Sequence, residues 1–154
     1  MGAIRQKTVI TFPMDGRAIS HAHTEANADE RTMATDEPVE RGGTGLAPTP
    51  TEAMVGALLG CINVISHRIA ERIGISLIDM TMQAECDFDR RGVLLQEQAL
   101  IPFPEIRVTI NAISDGSGAQ LAQLESELAM FCPLSNTIRQ SGTRLVETWN
   151  ITPA

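Results

Sequence analysis

From Ile78 to Asp89 apolar and polar positions alternate strictly, with Ile78, Met80, Met82, Ala84, Cys86 and Phe88 on one side and Thr81, Gln83, Glu85, Asp87 and Asp89 on the other. A period of two predicts a strand with one face buried. Arg91-Gly92 marks a turn, and Ile106, Val108, Ile110 and Ala112 repeat the alternation in a second strand. Leu121, Leu124 and Leu128 then recur at helical spacing within Ala119 to Phe131; a short helix follows Cys132-Pro133, and Leu145, Val146, Trp149 and Ile151 predict a last strand. Towards the start, Ile4, Val9, Ile10 and Phe12 suggest a strand ending at Pro13. Asp15-Gly16 reads as a turn into a second strand around Ala18 to His23, and Arg31 to Thr35 as a third.

Between these two groups lies a helix with clear punctuation. Gly42, Gly43, Gly45, Pro48 and Pro50 make the preceding loop. Thr49 as N-cap, Pro50 at the first helical position and Glu52 three residues after the cap form a capping box. The helix runs to Ile73, where Gly74 supplies a stop. Its first half is apolar nearly all round, which predicts a central position. Gly56 and Gly60 lie four residues apart, each costing about 1 kcal/mol of helix propensity, so close approach by another element is expected on that face. The order βββ-α-ββ-αα-β segregates strands from helices and predicts an α+β fold rather than a doubly wound parallel sheet.

Composition narrows the functional classes. The chain has 154 residues, enough for one compact domain with a core. Twelve Lys and Arg against nineteen Asp and Glu give a net charge of −7, which argues against nucleic acid or an anionic membrane as partner. Four Phe, one Trp and no Tyr leave few stacking platforms for single strands. The N-terminus carries no signal-peptide pattern. The longest nearly uncharged apolar run, Ala53 to Ile65, is well short of the roughly 20 residues that span a bilayer. Three cysteines do not read as a secreted disulfide framework, so a soluble cytoplasmic protein is expected.

The chemistry on offer is thiol chemistry. Cys132, with Pro133 at the next position, is the N-cap of a helix, where unpaired backbone N–H groups and the helix dipole favour thiolate. Cys61, in mid-helix, reads either as a buried structural thiol or as a reactive one; Cys86 shares the apolar face of its strand and reads as a core residue. His21, His23 and His67 do not form a metal set, and no zinc spacing occurs, so no metal or other cofactor is expected. Gly42-Gly43-Thr44-Gly45 lacks the lysine of a phosphate loop.

Pro50-Thr51-Glu52, the run Ala53 to Cys61, Gly74-Ile75, the acidic strand end Asp87 to Gly92 and Cys132-Pro133-Leu134-Ser135 together resemble the OsmC/Ohr family, osmotically inducible and organic-hydroperoxide-resistance proteins. The resemblance spans roughly Gly42 to Ile151. It implies a single OsmC-like domain over 1–154, with N-terminal strands and loop in 1–47, a central long helix in 48–74, and strands, C-terminal helices and last strand in 75–154. It further implies antiparallel sheets around that helix and an intertwined homodimer with active sites at the subunit interface. Carried over by motif, Cys61 is the peroxidatic cysteine and Cys132 the resolving one, and Glu52 matches a glutamate that pairs with an arginine beside the thiolate. Nine residues of helix turn Glu52 to the side opposite Cys61, so such a contact needs a bend, an arginine or a partner subunit. Arg17 resembles the glycine-arginine context of the hydroperoxide branch and Arg41 the position used by another branch; Arg31 also qualifies. Arg68 returns to the Cys61 face seven residues on.

The expected activity is therefore a thiol-dependent peroxidase reducing organic hydroperoxides or hydrogen peroxide, regenerated by a thiol reductant. Met54, Leu58, Phe131 and Phe103 are the candidates for an apolar pocket. An OsmC-like small-ligand-binding module with weak or no peroxidase activity is the alternative. A hydrolase using Cys61 as nucleophile is a third reading, which needs a base such as His67 near the sulfur.

Overall fold

The computed structural model describes residues 8–154. They belong to two compact units, Met1–Ala53 and Met54–Ala154. Ile4 of the expected first strand lies outside the described residues.

In the first unit, β1 (Asp15–Ala18), β2 (Thr24–Ala28) and β3 (Arg31–Thr35) form an antiparallel sheet in the order β1-β2-β3. Only β3 falls where the alternation put a strand. Val9, Ile10 and Phe12 are exposed and carry no strand; Asp15-Gly16 is inside β1 rather than a turn, and the reversal comes at Ser20–His23 instead. There the Ser20 hydroxyl accepts from the Ala22 and His23 amides, a local bond that competes with strand pairing. Asp29, at φ 55°, takes the left-handed corner between β2 and β3. Beyond β3 the loop is organised by Asp36, which is fully buried. Its Oδ1 accepts from the Glu37 amide, and its Oδ2 from the Thr44 amide and hydroxyl and the Leu46 amide. These bonds hold its carboxyl well below the usual range, at about 2. Gly43 is obligatory here: a Cβ would stand 1.8 Å from the Glu37 carbonyl oxygen.

Helix α1 (Pro50–Ile73) begins and ends where the punctuation predicts. The Thr49 amide and hydroxyl donate to Glu52 Oε2 at 2.8 and 2.9 Å, and the Glu52 amide returns to Thr49 Oγ1 at 3.3 Å. Gly74 closes it at φ +74°, with the Ile75 amide reaching back to the Ala70 carbonyl. In the second unit β4 (Ile78–Cys86), β5 (Glu105–Ser114) and β6 (Arg144–Pro153) form one sheet in the order β4-β5-β6, with α2 (Gly118–Phe131) and α3 (Pro133–Gln140) between β5 and β6. Ile106, Val108, Ile110, Ala112 and Ser114 all turn inward from β5. Against them pack Leu58, Ile62, Ile69 and Ala70 of α1, Leu124 and Leu128 of α2, and Ile138 of α3.

The expectation of antiparallel sheets needs correction. β4 and β5 are antiparallel, but β5 and β6 are parallel over their full length, from Glu105↔Arg144 to Ser114↔Pro153. α2 and α3 together form the crossover that a parallel pair requires, carrying the chain back to the end where β5 started. The helix expectation is also revised. α1 buries one stripe, Leu58, Ile62, Ser66, Ile69 and Ala70, while Gly56, Ala57, Gly60, Asn63 and Val64 are exposed. A Cβ at Gly56 or Gly60 would meet nothing within 4 Å among the described residues, so α3 does not pack on that face. By length and composition α1 as a whole is apolar enough to cross a membrane, a test that the core helix of a soluble protein also passes; the 13-residue run underestimated it.

Candidate active site

Two elements of the second unit bring the distant cysteines together. Cys61 faces inward from α1 beside the fully buried Ile62 and is itself half-buried; Cys132, wholly buried, joins α2 to α3. Both are free thiols, and Cys132 Sγ donates to Cys61 Sγ across 3.3 Å. Pro133 occupies the first turn of α3 and Cys132 is its N-cap as expected, but the Cys132 side chain makes no capping bond. The free amide of that helix end is used elsewhere: the Leu134 N–H donates to the Cys61 sulfur. A backbone N–H at the start of α3 thus bears on Cys61, whereas the sequence analysis considered those groups only for Cys132. Leu134 was missed there, although Pro133 already marks the following amide as one without an intrahelical partner. α3 is anchored by a polar cluster on β6, with Ser135 Oγ donating to Glu147 Oε1 at 3.0 Å and Arg139 to Oε2 at 2.6 Å.

Burial pushes the Cys61 thiol up from its ordinary value, the Leu134 amide opposes this, and Cys132 adds to the rise. Within Met54–Ala154 no guanidinium is among the groups acting on Cys61.

The remaining predicted residues belong to Met1–Ala53. Glu52 spends Oε2 on the Thr49 cap, and its pKa is lowered first by the two Thr49 bonds and then by the charge of Arg41. Arg41 ends the short 3-10 turn Val39–Arg41 and pairs with Glu37 at 2.7 Å. The ion-pair partner of Arg41 is thus Glu37, and the charge of Arg41 is the smallest of the influences on Glu52. Arg17 sits on β1 opposite Glu25 and is exposed, and Arg31 pairs with Asp29 in solvent.

Of the four expected pocket residues, Phe131 lines a cavity. Leu58 is fully buried core, Met54 packs against the core, and Phe103 stacks on Phe88 with ring centres 5.2 Å apart. The cavity, about 260 Å³, is formed by Phe131 with Ile65, Arg68, Ile69 and Arg72. A second hollow, about 250 Å³, includes Gln83, Glu85, Arg107 and Thr148 and shares no residue with the thiol pair. His67 Nδ1 lies 2.9 Å from the Asn63 carbonyl oxygen, an engagement with its own helix. Cys86 keeps to its strand, 3.7 Å from the Asp87 carbonyl, and burial raises its thiol too. Among the described residues no group of three or more His, Cys, Asp or Glu is arranged to hold a metal ion.

Among the described residues a mixed α+β protein with two small sheets, three α-helices and a pair of thiols 3.3 Å apart is thus defined. The OsmC-like protein family matches residues 43–147, and the chain belongs to that family. No curated protein sequence matches it. Among solved structures, an OsmC-like protein from Mycoplasma pneumoniae is similar at 16% identity and a TM-score of 0.74, covering 94% of this chain and 98% of that one. An organic hydroperoxide resistance protein OsmC from Legionella pneumophila, also titled a predicted redox protein, is similar at 21% and 0.60, covering 95% and 99%. The organic hydroperoxide resistance protein from Elizabethkingia anophelis, with thiocyanate bound, is similar at 15% and 0.65, covering 96% and 100%. At these identities the likeness is one of fold.

Proposed function

We propose that this protein is a thiol-dependent peroxidase for organic hydroperoxides or hydrogen peroxide. The observation that carries the reading is the 3.3 Å separation of the Cys61 and Cys132 sulfurs. Family membership and the hydroperoxide-resistance names of two structural neighbours support a peroxide-related redox role. Cys61 is the better placed to meet peroxide, because Cys132 is wholly buried. The Cys61 thiolate attacks the terminal oxygen of the hydroperoxide, the O–O bond breaks, and the alkoxide leaves to take up a proton as alcohol while sulfur becomes a sulfenic acid. The Cys132 thiolate then attacks that sulfur, the S–O bond breaks, and water leaves with a disulfide formed. Two thiols of a cellular reductant reopen it and are themselves oxidised.

The Leu134 amide stabilises negative charge on Cys61, and a guanidinium completes that stabilisation. Arg41, paired with Glu37, and Arg17 are the candidates. Two copies pairing through the open Gly56/Gly60 face of α1 would make the homodimer in which such residues meet the thiol. The protein acts in the cytoplasm, without a cofactor. The raised Cys61 thiol favours one second reading, a small-ligand-binding member of the fold with weak peroxidase activity.

The test mixes reduced protein with cumene hydroperoxide and follows thiol loss. Wild type consumes two thiols per peroxide, Cys61→Ser none above background, and Cys132→Ser stops at a trappable sulfenic acid. If wild type loses thiols no faster than Cys61→Ser, the peroxidase reading is wrong and the binding reading stands.

A further inference from the structure

A charged side chain sits on β6 where the strand calls for an apolar one. Leu145 and Trp149 pack against the core, and the two-residue period places Glu147 between them on the same side. Its side chain is only 9% exposed. Burying a carboxylate is costly unless it is paired and hydrogen-bonded, and both partners of this one come from α3. The fully buried Ser135 donates from Oγ to Oε1 at 3.0 Å, and Arg139 donates from Nη2 to Oε2 at 2.6 Å. Four residues apart, the two donors share one face of the helix, so one carboxylate grips a full turn of α3 with one oxygen on each. The helix needs that hold, because it has eight residues, of which Ser135 and Ile138 are buried, and a helix so short is not stable by itself. Its first turn bears directly on the sulfurs. Cys132 is the N-cap, three residues before Ser135, and the Leu134 N–H bears on Cys61. Cys132 is also the single residue between α2 and α3, so a slide or rotation of α3 carries its sulfur along. Misplacement by about 1 Å can cost a positioned reaction on the order of 100-fold.

We infer that Glu147 is a positioning residue for the thiol pair: by clamping Ser135 and Arg139 it seats the first turn of α3 so that Cys132 closes on Cys61 faster than the Cys61 sulfur is oxidised further. The second half of that statement rests on the peroxidase reading. A Cys61 sulfenic acid has two competing fates. Cys132 attacks its sulfur, the S–O bond breaks and water leaves with the disulfide formed. Alternatively the sulfenate attacks the terminal oxygen of a second hydroperoxide molecule, the O–O bond breaks, an alcohol leaves and a sulfinic acid remains, which a thiol reductant does not reverse. The clamp favours the first fate by raising the effective concentration of Cys132 at Cys61.

Two measurements on the full-length protein test it. In the first, wild type and variants are equilibrated with mixtures of reduced and oxidised glutathione, and the Cys61–Cys132 disulfide is quantified by alkylation and mass spectrometry. Glu147→Gln keeps the size of the side chain but removes the charge that Arg139 meets, and it lowers the effective concentration of one thiol at the other about tenfold. Ser135→Ala, which frees one oxygen only, lowers it about threefold and carries the test if Glu147→Gln does not fold. Arg139→Lys keeps the charge and most of the wild-type value. Ile75→Ala, at a buried site beyond the end of α1, lowers Tm without moving the thiol equilibrium. An equilibrium that neither Glu147→Gln nor Ser135→Ala shifts, or that Ile75→Ala shifts as far, overturns the inference. In the second, reduced protein is titrated with excess cumene hydroperoxide. Sulfinic acid on Cys61 appears in Glu147→Gln at about one tenth of the peroxide excess that wild type needs; the same excess in both overturns the protection from further oxidation. If neither protein loses thiols to peroxide, the peroxidase reading fails alone, because the glutathione arm uses no peroxide and still decides whether Glu147 positions the pair.

Discussion

Oxidation of the Cys61–Cys132 pair is expected to stabilise the fold by an amount the structure sets. Seventy-one positions separate the two residues along the chain. For a closed loop of that size, the entropy removed from the unfolded chain corresponds to about 4.4 kcal/mol near room temperature. Native-state adjustment reduces the gain, although the sulfurs start only 3.3 Å apart; about 3 kcal/mol is the working expectation. In a chain of this length that is a rise in Tm of about 10 °C. The assay is differential scanning calorimetry of protein oxidised with one equivalent of hydroperoxide, beside the same sample reduced with dithiothreitol. Cys86→Ser should keep the whole difference, and Cys61→Ser and Cys132→Ser should each abolish it. Equal transitions for oxidised and reduced wild type, or a disulfide mapped to Cys86, would refute the argument, because the pair would then not be the one that closes.

Three further outcomes follow from the packing and the charges. Leu58→Ala, at a fully buried site, should cost about 2–5 kcal/mol in urea unfolding. Asp36 has a folded pKa of about 2 against an ordinary 3.8, so its contribution is complete above the ordinary value and is lost as pH falls towards 2. Acid titration followed by circular dichroism should show Asp36→Asn less stable than wild type at neutral pH, with the difference closing below pH ~3. Glu52→Ala should lose about 1 kcal/mol with the cap, while Glu52→Gln keeps an acceptor for Thr49 and most of that stability. Glu52→Gln that retains full peroxide turnover would show that capping is the whole role of this carboxylate.

The punctuation of α1 was legible because each signal acts within one turn. Thr49, Glu52 and Gly74 satisfy or terminate backbone groups three or four residues away, and the observed hydrogen bonds are the ones that spacing implies. The inward face of β5 was legible for a similar reason, since a two-residue period leaves Ile106, Val108 and Ile110 no other side. The first two N-terminal strands were not, because Val9, Ile10 and Phe12 have apolar character without partners to pair with in the described residues, and Ser20 redirects the turn; the third, Arg31–Thr35, was read where it lies. The parallel pairing of β6 escaped because a strand's own sequence does not encode its direction relative to a neighbour; the helical crossover before it was the available clue.

Local chemistry thus determined, from the sequence, that this chain has a capped apolar helix, half-buried strands, a cysteine at the start of a short helix and an excess of acidic over basic residues. Tertiary structure alone decided that Cys61 and Cys132 share one spot and that the Leu134 amide bears on the first sulfur. The division has a physical cause. Caps, turns and side-chain alternation are governed by forces spanning a few residues, whereas the meeting of atoms seventy-one positions apart requires α1, α2 and α3 to settle together on one sheet, a result of close packing that no short window of sequence contains.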